Sequence, residues 1–187
     1  MTNASTLTGH LLIAMPSMLD PNFHQTVTYI CEHGDNGALG IIINRPLNMD
    51  LGDILTQFSA ETPGSSVAAQ PVVQGGPVQI ERGFVLHESS RKWDATVEVA
   101  NSIYVTTSQD ILSALAAGAG PERTLVALGY AGWGAEQLEA EIAENSWLNA
   151  PASADLLFDT PFPERWKASA ALLGVDLATI STQGGHA

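Results

Sequence analysis

The stretch from Thr124 to Trp147 constrains the fold more than any other part of the chain. Thr124 to Tyr130 is a short apolar run, preceded by Gly120-Pro121 and punctuated by Gly129, Gly132 and Gly134, which together predict a buried strand closed by a glycine turn. From Ala135 onward Leu138 and Ile142 recur at helical spacing, while Glu136, Glu139, Glu141 and Glu144 take the other faces. That is the pattern of a helix buried on one side, and Glu136 in its first turn suits the partial positive charge of a helix N-terminus. Upstream, residues 102–107 read as a strand and 109–117 as a helix. Thr107-Ser108-Gln109-Asp110 supplies a capping sequence there, and Ile111, Leu112 and Leu115 the buried side. Strand, helix and strand predict a β-α-β unit with two parallel strands joined by a right-handed crossover.

The other elements follow from alternation and turn chemistry. His10–Ala14 predicts a first strand ended by Met15-Pro16, and residues 26–32 a second, with Val27, Tyr29 and Cys31 facing the core. Gly34-Asp35-Asn36-Gly37 turns the chain into an apolar arm, 38–44, expected at the centre of the sheet. Asp50 is placed to cap a short helix with Asp53 in its first turn, and residues 59–71 read as loop. Residues 72–74 and 83–87 read as strands, as do 96–100 and 102–107, with a tight break at Asn101. Asn149-Ala150-Pro151 begins a loop, 155–158 is a short apolar segment, and Pro163 opens a last helix reaching Leu173, with Gly174 past its end. Residues 1–8 read as a loose tail, and 180–187 as a tail crossing back over the body.

Charge narrows the function classes. Against 7 Lys and Arg stand 20 Asp and Glu, a net charge of −13. Because nucleic-acid affinity comes largely from neutralising phosphates, direct nucleic-acid binding is not expected; Arg91-Lys92 is the sole adjacent basic pair. No run approaches the ~18 apolar residues of a membrane span, and no basic segment leads into an apolar core at the N-terminus, so a cytoplasmic protein without membrane contact is expected. One cysteine, Cys31, excludes an intrachain disulfide and fits a reducing compartment.

Candidate chemistry lies where strands give way to helices. Asn44-Arg45, Thr107-Ser108 and Gly132-Trp133-Gly134 each end a predicted strand, and if those strands run parallel the three corners share one edge. Ligands favour the crevice beyond strand carboxyl ends, and free amides at helix starts attract anions. Arg45 would supply a planar cationic fork, Ser108 a hydroxyl and Trp133 a flat apolar surface for a small anionic or ring-bearing ligand. The competing reading is architectural: Asp110 and Glu136 can satisfy those helix ends, and Arg45 can pair with a carboxylate.

No catalytic set is assigned. There is no Gly-x-Ser-x-Gly elbow, and spacing does not bring Ser108 to His33 or His87. The five histidines, at 10, 24, 33, 87 and 186, lack metal-site pairing and read as capping or surface residues, so neither metal nor cofactor is expected. Cys31 has no neighbouring cation and reads as an inert thiol. Trp133, Trp147 and Trp166 read as core aromatics rather than a cofactor platform.

A series of motifs then adds a family. Gly9-x-Leu11-Leu12-Ile13-Ala14-x-Pro16, Asp20-Pro21-x-Phe23, Val27-x-Tyr29, Glu32-His33 and Gly40-x-Ile42-Ile43-Asn44-Arg45-Pro46 are followed by Gly75-Gly76-Pro77-Val78 and Gly83-Phe84-Val85-Leu86-His87. Thr106-Thr107-Ser108-x-Asp110-Ile111-Leu112, Gly129-Tyr130-Ala131-Gly132-Trp133-Gly134 and Asn145-Ser146-Trp147 complete the set. With these the chain resembles the YqgE/AlgH family of bacterial proteins nearly end to end. The resemblance implies a mixed-sheet α+β fold, a cytosolic location and a label of transcriptional regulator without an established reaction. Elements and resemblance together predict one domain over 1–187, of α+β class, with a mixed, curved sheet flanked by helices. For function they predict a non-enzymatic regulatory or interaction protein, acting on transcription indirectly through a protein partner or a small anionic ligand. The alternative is a small-molecule enzyme using the crevice near Arg45, Ser108 and Trp133.

Overall fold

The computed structural model describes residues 6–58, 64–89 and 91–183. Its strands are β1 (His10–Ala14), β2 (Val27–Gly34), β3 (Gly37–Ile42), β4 (Pro46–Asp50), β5 (Pro71–Gln74), β6 (Val78–His87), β7 (Thr96–Ala100), β8 (Ile103–Thr106), β9 (Thr124–Trp133) and β10 (Trp147–Pro151). The helices are α1 (Leu51–Phe58), α2 (Ser65–Ala68), α3 (Asp110–Ala116), α4 (Gln137–Ala143), α5 (Arg165–Ala171) and α6 (Leu177–Gln183). The strands join in one sheet of order β10-β1-β2-β3-β9-β6-β8-β7, with β5 beside β9 and β4 beside β5.

β9 is the strand on which the two halves of the sheet meet. One of its edges carries β6; the other carries β3 toward its C-terminal end and β5 further back. It runs on to Trp133, past the glycines expected to end it at Tyr130. Gly129 serves a close strand crossing instead: a Cβ on it would lie 2.5 Å from the Gly76 carbonyl oxygen, and one on Gly75 would lie 2.3 Å from the Gly129 carbonyl oxygen. The β-α-β unit is present, but β6 lies between its strands. Because β6 is antiparallel to both β8 and β9, those two run parallel without touching. The directly parallel pair is β5 with β9.

Each face of the sheet has its own cover. Leu11, Ile13, Tyr29, Ile41, Phe84, Leu86 and Leu125 pack inside the curl against Leu156, Leu157, Ala170 and Leu177 of the C-terminal segments. On the outside, Val72, Val85 and Val126 meet α1 and α3 through Leu51, Leu55, Ile111 and Leu115. The other outer half carries Leu12, Ile30 and Ala131 against Leu138 of α4, with Trp133 and Trp147 among them. The strands read as apolar on both faces for this reason. The curl is tight enough that a Cβ on Gly9, just ahead of β1, would lie 2.6 Å from the Ala100 Cβ at the end of β7.

Several local expectations are met in detail. Asp35 and Asn36 turn the β2–β3 hairpin between paired Gly34 and Gly37. The break at Asn101 is a two-residue hairpin turn in which Asn101 and Ser102 both take positive φ, 49° and 66°. Gly174 follows α5 at φ 69°, although a further helix, α6, comes after it. Others are corrected. Trp147–Pro151 is a strand where a loop is expected to begin at Asn149, because β1 supplies its partner, and Pro46–Asp50, not assigned from sequence, is a strand beside β5. Part of 59–71 forms α2, and 155–159 winds into a π-helical turn. Glu136 lies ahead of α4 in the left-handed region, so the helix starts later than its carboxylates suggest. Of the expected tails, 1–5 and 184–187 lie outside the described residues. Leu7 is anchored, donating its amide N–H to His33 Nδ1 at 2.9 Å, and 177–183 is helical. Among the described residues no helix is long and apolar enough to cross a membrane.

Candidate functional site

The three corners do not share an edge. β3 is antiparallel to β9, and Ala38 pairs with Trp133, so Asn44 and Arg45 lie roughly 20 Å further along that pairing from Trp133. Thr106 and Val126 both pair with Val85, which places Thr107-Ser108 near the middle of β9, again roughly 20 Å from Trp133. Strand direction decides the first separation and strand register the second; local sequence encodes neither.

At the first corner the side chains brace a loop. Asn44 Nδ2 donates to the Gln25 carbonyl and its Oδ1 accepts from the Val27 N–H, both at 2.9 Å. Arg45 donates to the Asn22 carbonyl at 2.7 Å and the His24 carbonyl at 2.9 Å. Burial lowers the Arg45 guanidinium somewhat, with Asp20 opposing. Both residues hold the 20–27 loop against the sheet.

At the third corner Trp133 is core. It is 6% exposed and packs with Phe23 and Trp147, with ring centroids 5.6–6.1 Å apart in the three pairings. Glu141 Oε1 accepts from both indoles, Trp133 at 3.4 Å and Trp147 at 3.2 Å. Gly132 pairs with Leu39, and the Gly134 N–H donates to Gln137 Oε1 at 2.9 Å, so this helix start already has its acceptor. Trp166 stands apart, donating to the Ala14 carbonyl at 2.8 Å.

The second corner opens on a cavity. About 490 Å³ in volume, it lies between α1, α3 and β6, with Thr107 and Ser108 at one end. Ile54, Val85, Leu112, Val126 and Leu128 make its walls apolar, and Asp53, Gln57, Glu81, Arg82 and Gln109 supply a polar rim. This size and lining are those of a small-molecule or side-chain pocket. Ser108, however, is already committed: its hydroxyl donates to Asp110 Oδ1 at 2.5 Å and accepts from the Ala95 N–H at 3.0 Å. Asp110 Oδ2 accepts from the Asp94 N–H at 2.8 Å. Partial burial raises the Asp110 carboxyl, but the bonds from Ser108, Asp94 and nearby amides outweigh it and hold the group below the usual carboxylate range. An acid so stabilised is a poor base for activating a hydroxyl. The pair clamps the 91–96 loop onto the start of α3.

His87 overturns the surface reading of the histidines. Fully buried, it donates from Nδ1 to the Ser89 carbonyl at 3.1 Å, which leaves Nε2 to accept from the Thr106 hydroxyl at 2.7 Å. Thr96 Oγ1 continues the chain to Thr106 at 2.8 Å and accepts from the Trp93 N–H at 2.8 Å. Every donor has an acceptor only with the imidazole neutral. Burial lowers His87 from its ordinary 6.5, the Ser89 bond opposing. Below pH 6.5 the unfolded chain therefore takes up a proton that the folded one refuses, and this contribution to stability is lost as pH falls toward the folded value. Urea midpoints measured between about pH 8 and about pH 5 should decline from near 6.5 downward, and His87→Gln should flatten that slope.

His33 bridges Leu7 to Glu139 on α4, and His24 contacts the Met18 carbonyl, so neither meets Asp20 or the other as a catalytic pair. Among the described residues no group of three or more His, Cys, Asp or Glu is placed to hold a metal. Cys31 is half-buried against the core; burial, then Glu32, pushes its thiol up to about 12, so the reactive thiolate is scarce. Sequence reading missed two features: the contribution of α1 and β6 to the cavity, and Arg165, whose burial depends on tertiary packing alone.

Comparison with known proteins places the chain. A family profile described as AlgH-like matches residues 11–178. A UPF0301 protein of Nitrosococcus oceani is 53% identical over 179 residues, covering 96% of both chains. One of Xanthomonas campestris is 51% identical over 181 residues, covering 97% of this chain and 96% of that one. The solution structure of the AlgH protein from Pseudomonas aeruginosa superposes with a TM-score of 0.80 at 48% identity, covering 100% of this chain and 99% of that one. A Corynebacterium diphtheriae crystal structure, at 20% identity and a TM-score of 0.72, covers 92% and 90% and shares the fold.

Proposed function

The chain belongs to the AlgH-like family, and from that membership we propose that it is a non-enzymatic regulatory or interaction protein of the cytosol. Its working surface in this reading is the groove between α1, α3 and β6, which receives an apolar group of a protein partner. The observation that carries the proposal is the division of labour in that groove: its walls are apolar, while Ser108 and Asp110 are occupied in holding a loop. Met49, at the groove, and Ile80, in the adjoining part of β6, are 37% and 61% exposed, extending the apolar surface outward. A net charge of −13 favours influence on transcription through a partner over contact with nucleic acid.

The enzyme alternative requires a nucleophile with a base in reach. In the groove the Ser108 proton is held by a carboxylate kept acidic, which supports the non-catalytic reading. The test is an NMR titration of the full chain with apolar probes, repeated on Leu112→Arg. That variant places a cation in the groove and is expected to weaken binding about tenfold or more by the cost of burying an unpaired charge.

A further inference from the structure

We propose that a second cavity, about 300 Å³ and lined by Arg165, Thr124 and Phe162, binds a small carboxylate. Arg165 is 2% exposed, donating from Nε to the Thr160 carbonyl at 2.7 Å and from Nη1 to the Ile43 carbonyl at 2.8 Å. Its guanidinium lies 4.3 Å from the centre of the Phe162 ring. Among the described residues no carboxylate forms an ion pair with it, and Nη2 has no hydrogen-bond acceptor. Arginine keeps its proton at any working pH, so this is a buried cation whose hydrogen bonds go only to neutral carbonyls, with Asp159 acting on it without an ion pair. Burial pulls it down to about 10 even with Asp159 nearby. The buried group left unmet at this cavity is the Thr124 hydroxyl, whose oxygen has no partner. Both groups can donate to an oxygen, and both line one cavity; an anionic oxygen entering there would serve the two together.

The surrounding charges select the anion. Asp159, the nearest acid, is turned instead to Arg123, which also grips Glu88 and Asp155. The exposed Glu122 adds a further negative charge at the same cavity. Three carboxylates on one arginine leave the entrance net negative, so a multiply charged anion such as phosphate is opposed while a singly charged carboxylate is tolerated. A cationic tail on that carboxylate would meet Glu122 favourably.

Acetate, β-alanine and inorganic phosphate, each titrated into the labelled full chain, test the assignment. Acetate and β-alanine are expected to shift amides of 122–125 and 158–162 saturably, β-alanine more tightly, and phosphate to bind more weakly than either. Thr124→Val should melt at the same temperature as the parent or higher, because its hydroxyl bonds nothing in the free protein, yet should weaken acetate about tenfold. Arg165→Lys, which keeps a charge without the fork, should lose binding further. The site is refuted if neither carboxylate shifts these amides, if phosphate binds as tightly as acetate, or if Thr124→Val binds acetate like the parent.

Discussion

Replacing Gly76 with alanine is expected to remove about 4 kcal/mol or more of stability, enough to leave little native sheet in a domain of ordinary stability. A Cβ at this position would lie 2.1 Å from the Tyr130 carbonyl carbon, 2.2 Å from its oxygen and 2.4 Å from the Ala131 nitrogen. All three are backbone atoms of β9, fixed on one edge by β6 and on the other by β3 and β5. A flexible side chain could step aside; the central strand cannot without moving its neighbours. Gly83→Ala is the matched control, since nothing lies within 4 Å of its added Cβ. It should change stability by no more than about 0.5 kcal/mol. Urea unfolding followed by circular dichroism separates the two, and equal midpoints would refute the close crossing.

Trp133→Ala is the second large effect, with an expected loss of about 3–5 kcal/mol. The substitution empties the middle of the Phe23–Trp133–Trp147 cluster beneath α4 and leaves Glu141 with a single indole N–H donor. Trp133→Phe keeps an aromatic ring in the cavity and should lose much less, chiefly the hydrogen bond and part of the volume. A tryptophan kept for stacking a ligand would behave differently, because its removal would abolish binding and barely move the unfolding midpoint. Measuring both properties on one variant decides between core and platform.

The contrast between Trp133 and Ser108 shows how far sequence carried the site. Motifs that depend on neighbours in the chain were readable: the Gly34–Gly37 turn, the Asn101 break and the Gly174 stop lie where their residues place them, and α3 lies within the expected 109–117, although Gln109 rather than a hydroxyl stands at its N-cap. Features that depend on partners distant in the chain were not. Pro46 and Pro151 read as breakers, yet both sit at ends of strands whose partners are set by the fold. The glycines of β9 read as a turn because glycine permits one; the use of Gly129 is to let 76–80 cross close to the strand. The three-corner edge failed on two facts: β3 runs antiparallel beside β9, and β9 continues to Trp133, well past the level of Thr107-Ser108. One corner, Thr107-Ser108, does open on a sizeable cavity, although α1 and β6 supply much of its lining. Arg165 was invisible for the same reason as the strand partners: a basic residue at a helix start is ordinarily solvated, and only the approach of Ile43 and Thr160 buries it.

The family shares this architecture, and the groove is where the architecture leaves apolar surface open. The direct measurement is a titration of the isotopically labelled chain with indole and with a short leucine- and phenylalanine-bearing peptide, read residue by residue. Saturable shifts at 53–57, 82–85, 107–112 and 126–128, lost in Leu112→Arg while its unfolding midpoint stays near the parent's, are predicted. Shifts gathered instead around Arg45 or Trp133, or none at the groove at any concentration reached, would contradict it.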